Sequence, residues 1–128
     1  MSDTLKYHLL KGLSNALCSM SYDHILEIGK FLGPVIMERI SKQKKRGLEQ
    51  IQTGLSCDRA EAEKLLHKVY QHIGMSAMEM LYMPRLVREK DHIDDYIGLS
   101  HPEYLKACYA EGKGIVGLTA HMGNWEWL

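Results

Sequence analysis

The segment that opens at Asp58 places the strongest limit on the fold. Ala62, Leu65, Leu66, Val69, Ile73, Ala77, Met80 and Leu81 recur three and four residues apart, a spacing that an α-helix gathers into one continuous apolar face. Asp58 followed by Glu61 has the form of a capping box, which marks where the helix begins. Pro84 should close it near Met83, because proline has no amide to donate and crowds the preceding turn. Met75, Met78, Met80 and Met83 read as flexible core filler on or beside this face. The middle of the chain is thereby committed to helix over 58–83.

Two further helical patterns precede it. Leu5, Leu9, Leu10, Leu13, Ala16, Leu17 and Met20 form one amphipathic stripe. Ile25, Leu26, Ile28, Phe31, Leu32, Val35, Ile36 and Ile40 form a second that is almost too apolar for a single face, and Gly33-Pro34 should bend or break it. Its polar end is Lys42, Lys44, Lys45 and Arg46. After Arg88 the period changes: His92 to Leu99 alternates weakly and reads as a short strand. Ser100-His-Pro-Glu103 then supplies an N-cap serine, a first-turn proline and a capping-box glutamate for a helix through Tyr109, which Gly112 stops. Ile115 to Thr119 is an apolar run bounded by glycine, the pattern of a strand buried on both faces.

That order implies an α/β fold: a helical N-terminal region, then the first strands of a mainly parallel sheet flanked by helices, truncated before the later strands. Residues 1–46 read as membrane-proximal helices and 92–128 as the start of a catalytic α/β core, all within the N-terminal part of one domain. Sixteen basic and sixteen acidic side chains cancel, so charge gives no reason to expect nucleic acid as a partner. Cys18, Cys57 and Cys108 are odd in number and have no C-x-x-C pairing, which fits buried thiols in a reducing compartment. There is no signal-peptide pattern, and charges interrupt every candidate spanning window, so membrane contact is expected to be peripheral.

Chemistry concentrates at the other end, in Gly114-Ile-Val-Gly-Leu-Thr-Ala-His121-Met-Gly-Asn124-Trp125-Glu126. On one helix His121 and Glu126 would stand about 140° apart, and on one strand roughly 16 Å apart on opposite faces. A turn at Gly123 and Asn124 is what lets the carboxylate reach back to the imidazole. In an open α/β sheet this turn sits beyond a strand's carboxyl end, where ligands bind. A neutral imidazole there can take the proton of an attacking hydroxyl, while the carboxylate fixes its tautomer and stabilises the imidazolium. Seven histidines in a chain with sixteen acidic residues give about one such spacing by chance. Context, namely the apolar run, the turn glycine and the aromatic before the glutamate, favours catalysis over a surface histidine. His92, His101 and His121 show no metal-ligand spacing, and no cofactor or metal is expected.

The block from Glu111 to Leu128, with Asn124 and Trp125 beside the His121/Glu126 pair, resembles the active-site block of the bacterial lipid A biosynthesis acyltransferases, the lauroyl and myristoyl transferases. Tyr96-Ile-Gly-Leu is similar to the segment that precedes this block in the family. The resemblance implies a glycerolipid acyltransferase-like fold, with His121 as general base and Glu126 as its charge partner. Asn124 and Trp125 become candidate substrate-binding residues. It also implies an acyl carrier protein thioester as donor, a hydroxyl of a lipid A precursor as acceptor, and a peripheral site on the cytoplasmic face of the inner membrane.

Two features keep more than one reading. Lys42 to Arg46 suit an anionic membrane surface, lipid phosphates or an acidic carrier protein, and equally a solvated helix end. Trp125 and Trp127 fit either a core or the border of an acyl pocket. The alternative to an acyltransferase is a noncatalytic helical membrane- or protein-interaction module, which the helix-rich first ninety residues allow. Taken alone, a chain ending at Leu128 is expected to be inactive, since the dyad sits at its terminus.

Overall fold

The central element begins where the capping box places it. In the computed structural model, which describes residues 2–119 together with Gly123 and Asn124, the Asp58 carboxylate accepts the Glu61 amide at 2.8 Å and opens helix α4, Arg59–Arg88. Its 30 residues make it about 45 Å long at the α-helical rise. Helices α1 (Asp3–Leu17), α2 (Tyr22–Met37) and α3 (Ser41–Leu55) all pack against it. A 3-10 helix, Lys90–Asp95, follows α4, and then α5, Pro102–Ala110, which buries none of its residues.

The line that α4 buries runs Ala62, Leu66, Tyr70, Gly74, Tyr82 and Leu86, a near-perfect four-residue step and thus a ridge that another helix can follow. Helix α2 lies along it. A Cβ added at Gly33 would strike the Tyr70 carbonyl, and one at Gly74 would strike the Gly29 carbonyl and come within 2.7 Å of the Gly33 Cα. The two backbones therefore meet directly, and only hydrogen fits between them. On either side of this crossing sits a small core. One joins Leu17, Cys18, Ile25, Tyr82 and Leu86, where Ile25 and Tyr82 are fully buried, with Met20, Met78 and Met83 packed around it; the other joins Leu48, Ala62, Leu66 and Tyr70.

Neither proline ends its helix, which corrects the stop expected at Pro84 and the break expected at Gly33-Pro34. Helix α2 continues through Gly33-Pro34 to Met37, and α4 passes Pro84 to Arg88. An interior proline costs roughly 3 kcal/mol of helix stability, but each of these sits where packing holds the turns on both sides. Gly33 and Pro34 are buried against α4, and Tyr82 and Leu86 bracket Pro84 inside the first core. The Arg85 guanidinium adds to this hold, donating to the Cys18 and Met20 carbonyls of the α1–α2 turn at 3.1 and 2.8 Å.

The α/β architecture is also overturned, since no strand or sheet forms among the described residues. His92 to Leu99 closes local bonds instead, His92 N–H to Glu89 O at 2.8 Å and Tyr96 N–H to Ile93 O at 2.9 Å. These turns let Ile93 and Tyr96 pack on the first core, which an extended chain would not. The apolar run from Ile115 forms no ladder, and Val116 and Leu118 are 94% and 99% exposed rather than buried on both faces. A strand without a neighbour has no partner for its backbone groups, so apolar content alone does not make one. A smaller shift affects α5: its N-cap is His101 at φ 59°, not Ser100, while Gly112 at φ 66° follows its end as expected.

Lys42, Lys44, Lys45 and Arg46 do not end the second helix. They lie in the first turns of α3, which none of the three apolar stripes described above reaches.

Candidate functional site

Gly123 and Asn124 are the described part of the His121–Glu126 block, and they lie against the helices rather than away from them. His121, Trp125 and Glu126 fall outside the described residues. Gly123 takes φ 61°, a left-handed conformation that glycine adopts without penalty and that turns the chain. From this turn the Asn124 side-chain amide donates to Glu79 Oε2 on α4 at 2.8 Å.

Glu79 is shared. Its other oxygen accepts the Tyr22 hydroxyl, from the first turn of α2, at 2.7 Å. Tyr22 in turn stands edge-on to Tyr96, with ring centroids 5.3 Å apart, and tilted against Tyr82 at 5.9 Å. These separations are those of favourable aromatic pairs. Burial, then the hydrogen bond and charge of Glu79, pushes the Tyr22 hydroxyl well above the usual tyrosine range. It therefore acts as a standing donor to the carboxylate at any physiological pH.

A second shared carboxylate braces the same wall. Glu89 accepts the Tyr96 hydroxyl at 2.7 Å and the Arg85 Nε at 2.9 Å, and these two bonds hold its carboxyl below the ordinary range. The Tyr96 ring is thus fixed from its hydroxyl end by Glu89 and Arg85, while the ring packs nearly perpendicular to that of Tyr22. The result is a cleft of about 470 Å³ between α2, α4 and the 3-10 segment, lined by Tyr22, Leu26, His72, Met75, Ser76, Glu79, Tyr96, Ile97, Gly98, Gly123 and Asn124. One wall is aromatic and apolar, and the other carries His72, Ser76 and Glu79.

Of the residues singled out from sequence, Asn124 is the candidate site residue brought into this cleft, with the turn glycine Gly123 and with Tyr96, Ile97 and Gly98 of the segment before the block beside it. Glu79 and Tyr22 were not anticipated. A signal existed: His72, Ser76 and Glu79, four and three apart, trace a polar stripe beside the apolar face of α4. Nothing in that stripe reveals that a segment 45 residues downstream docks on it.

A larger groove of about 690 Å³ lies between α3 and α4 and shares no residue with the first. Lys44, Lys64, Lys68, Glu38 and His67 border it, and the Tyr70 hydroxyl, in a side chain only 3% exposed, has no hydrogen-bond partner among the described residues. Among the described residues no group of three or more histidine, cysteine or carboxylate side chains is placed to hold a metal ion. No described helix is long and apolar enough to cross a membrane.

Comparison with known families supplies what geometry leaves open. The model of the bacterial lipid A biosynthesis acyltransferases matches residues 2–127, nearly the entire chain including the His121–Glu126 block. No curated protein and no solved structure matches.

Proposed function

We propose, from the premise that this chain belongs to the bacterial lipid A biosynthesis acyltransferase family, that it moves a fatty acyl group from an acyl carrier protein thioester to a hydroxyl of a lipid A precursor. Acyl transfer in lipid A biosynthesis is the activity of the family. The donor, the catalytic pair and the acceptor hydroxyl are our reading. The observation that carries it is the family match across the block that contains His121 and Glu126.

In this reading His121 accepts the proton of the acceptor hydroxyl as its oxygen attacks the thioester carbonyl. Glu126 orients the imidazole and balances the charge it gains. The tetrahedral intermediate collapses by breaking the C–S bond, and the imidazolium returns its proton to the departing thiolate. The new ester and the free carrier thiol account for every atom, and no cofactor enters. Trp125 and Asn124 border the acyl chain or the acceptor beside this pair.

The same reading places the protein on the cytoplasmic face of the inner membrane. Leu9, Leu10 and Leu13 on α1 and Phe31 and Ile36 on α2 are exposed, as expected of helices that lie in a lipid interface. Lys42, Lys44, Lys45 and Arg46 gather at the N-terminus of α3, where the macrodipole adds to their positive charge instead of offsetting it. That favours an anionic partner, either a lipid surface or an acidic carrier protein, over a merely solvated end.

A second reading, a noncatalytic helical interaction module, draws on the lack of any strand among the described residues. One experiment separates the two. His121→Ala should lower acyl transfer by roughly 10² to 10⁴-fold with folding intact, and Glu126→Gln should also impair it. Transfer at the normal rate by His121→Ala would leave the module as the better account.

A further inference from the structure

The Glu79 carboxylate bonds both to the block and to another helix. Oε2 accepts from Asn124, three residues after His121, and Oε1 accepts from Tyr22 on α2. Glu79 sits on α4, whose neighbouring turns carry Gly74 and Tyr82, the most tightly held points of the fold. We infer that Glu79, with Tyr22 behind it, is a positioning residue: it ties the acyl-transfer block to the rigid α2–α4 crossing through Asn124 and so fixes where the His121–Glu126 pair stands. The inference rests on the reading of that pair as catalytic.

Three considerations support it. The block leaves no ladder among the described residues by which a sheet could hold it, since Val116 and Leu118 stand in solvent, so a side-chain anchor takes on the work of placing it. The anchor is itself anchored, because Tyr22 is packed between Tyr82 and Tyr96 and donates to the opposite oxygen. A supporting shell of this kind is what keeps a reactive pair in register, and a displacement of about 1 Å is enough to cost roughly 10²-fold in rate. Asn124 also suits the role chemically. Its amide donates without adding charge, whereas an aspartate there would face the Glu79 carboxylate with a like charge.

The test exchanges donor and acceptor. Glu79→Leu should lower kcat by roughly 10 to 10²-fold with a smaller rise in KM, because the catalytic pair and the Asn124 and Trp125 contacts beside it are displaced together. Asn124→Asp should also be impaired, because it sets a second carboxylate against that of Glu79. Combining Glu79→Gln with Asn124→Asp rebuilds the bond in reverse. The introduced amide donates to the introduced carboxylate, its oxygen still accepts from Tyr22, and kcat should return to within about threefold of wild type. A role confined to stability would lower the melting temperature of the single variants while leaving the kcat of the folded protein unchanged.

A second readout is independent of turnover. Trp125 and Trp127 are the only tryptophans in the sequence, so fluorescence excited on the red edge, where tyrosine does not absorb, reports on the block alone. Its anisotropy should fall in Glu79→Leu and Asn124→Asp and recover in the double variant. Unchanged anisotropy in the single variants, or a double variant no better than the worse single one, would overturn the tether. If His121→Ala transfers acyl groups normally while the anisotropy pattern holds, the catalytic reading fails and the tether alone survives. Loss of activity in His121→Ala beside wild-type rates in both single variants would refute positioning and spare the catalytic reading.

Discussion

Replacing Gly74 by alanine tests the central claim of the fold, that α2 and α4 touch backbone to backbone. In an open helix the change should stabilise, since alanine is favoured over glycine by about 1 kcal/mol. At Gly74 the new methyl would meet the Gly29 carbonyl, the Gly33 Cα at 2.7 Å and the Gly33 nitrogen at 2.8 Å. All are backbone atoms, so no side-chain rotation relieves the clash and the helices must part. Overpacking of this sort costs about 1–3 kcal/mol, here toward the upper end. Subtracting the propensity gain leaves about 2 kcal/mol of destabilisation, or a fall in Tm of roughly 8 °C for a chain of this size. Gly12, in α1, has nothing within 4 Å of an added Cβ and is the internal control. Gly12→Ala should gain up to about 1 kcal/mol. Urea unfolding followed by far-UV circular dichroism measures both. If Gly74→Ala proves as stable as wild type, or if the two variants shift in the same direction, the close crossing is wrong.

Other expectations follow from single groups. Tyr70→Phe should stabilise by about 1 kcal/mol in the same urea titration, because it removes a buried hydroxyl that has no partner among the described residues; a loss of stability would mean that the hydroxyl is bonded. Tyr22, Tyr70, Tyr82 and Tyr96 all have their hydroxyls raised above 10.0, chiefly by burial except at Tyr96, where the Glu89 bond leads. Their contribution to stability is full below that unfolded value and is lost as pH rises through the folded ones. Unfolding in alkali should therefore begin above about pH 10 and be shallower in Tyr22→Phe, and a melting temperature flat through that range would contradict the buried placement. Changing Lys42, Lys45 and Arg46 together to glutamine should weaken binding to vesicles containing anionic lipid by tenfold or more, at about 1 kcal/mol per charge. High salt should do the same, and binding indifferent to both would point to true insertion.

Local chemistry was legible in the sequence. Asp58 and Glu61 fixed the start of α4 to the residue, the three- and four-residue spacings marked α1, α2 and α4 as helices, and Gly112 followed the end of α5. Each of these depends on residues within one or two turns, which is the range over which sequence acts on its own. The family likewise could be read from the sequence, and its model matches residues 2–127.

What tertiary structure decided was which of several locally allowed outcomes survived. Apolar spacing placed Val69, Ile73 and Met80 on the buried face of α4, yet all three are exposed, and burial instead follows Tyr70, Gly74 and Tyr82. Hydropathy ranks glycine and tyrosine poorly, but a close helix crossing needs the one for its lack of a Cβ and uses the other for its reach. Gly33-Pro34 and Pro84 were breakers by propensity and remain helical because burial on both sides outweighs about 3 kcal/mol of local cost. The apolar run after Gly114 carried a strand's composition without a neighbour to pair with, and a ladder is a property of two segments. The link from Asn124 to Glu79 across 45 residues is of the same kind: each residue states what it can donate or accept, and only the packed chain says to whom.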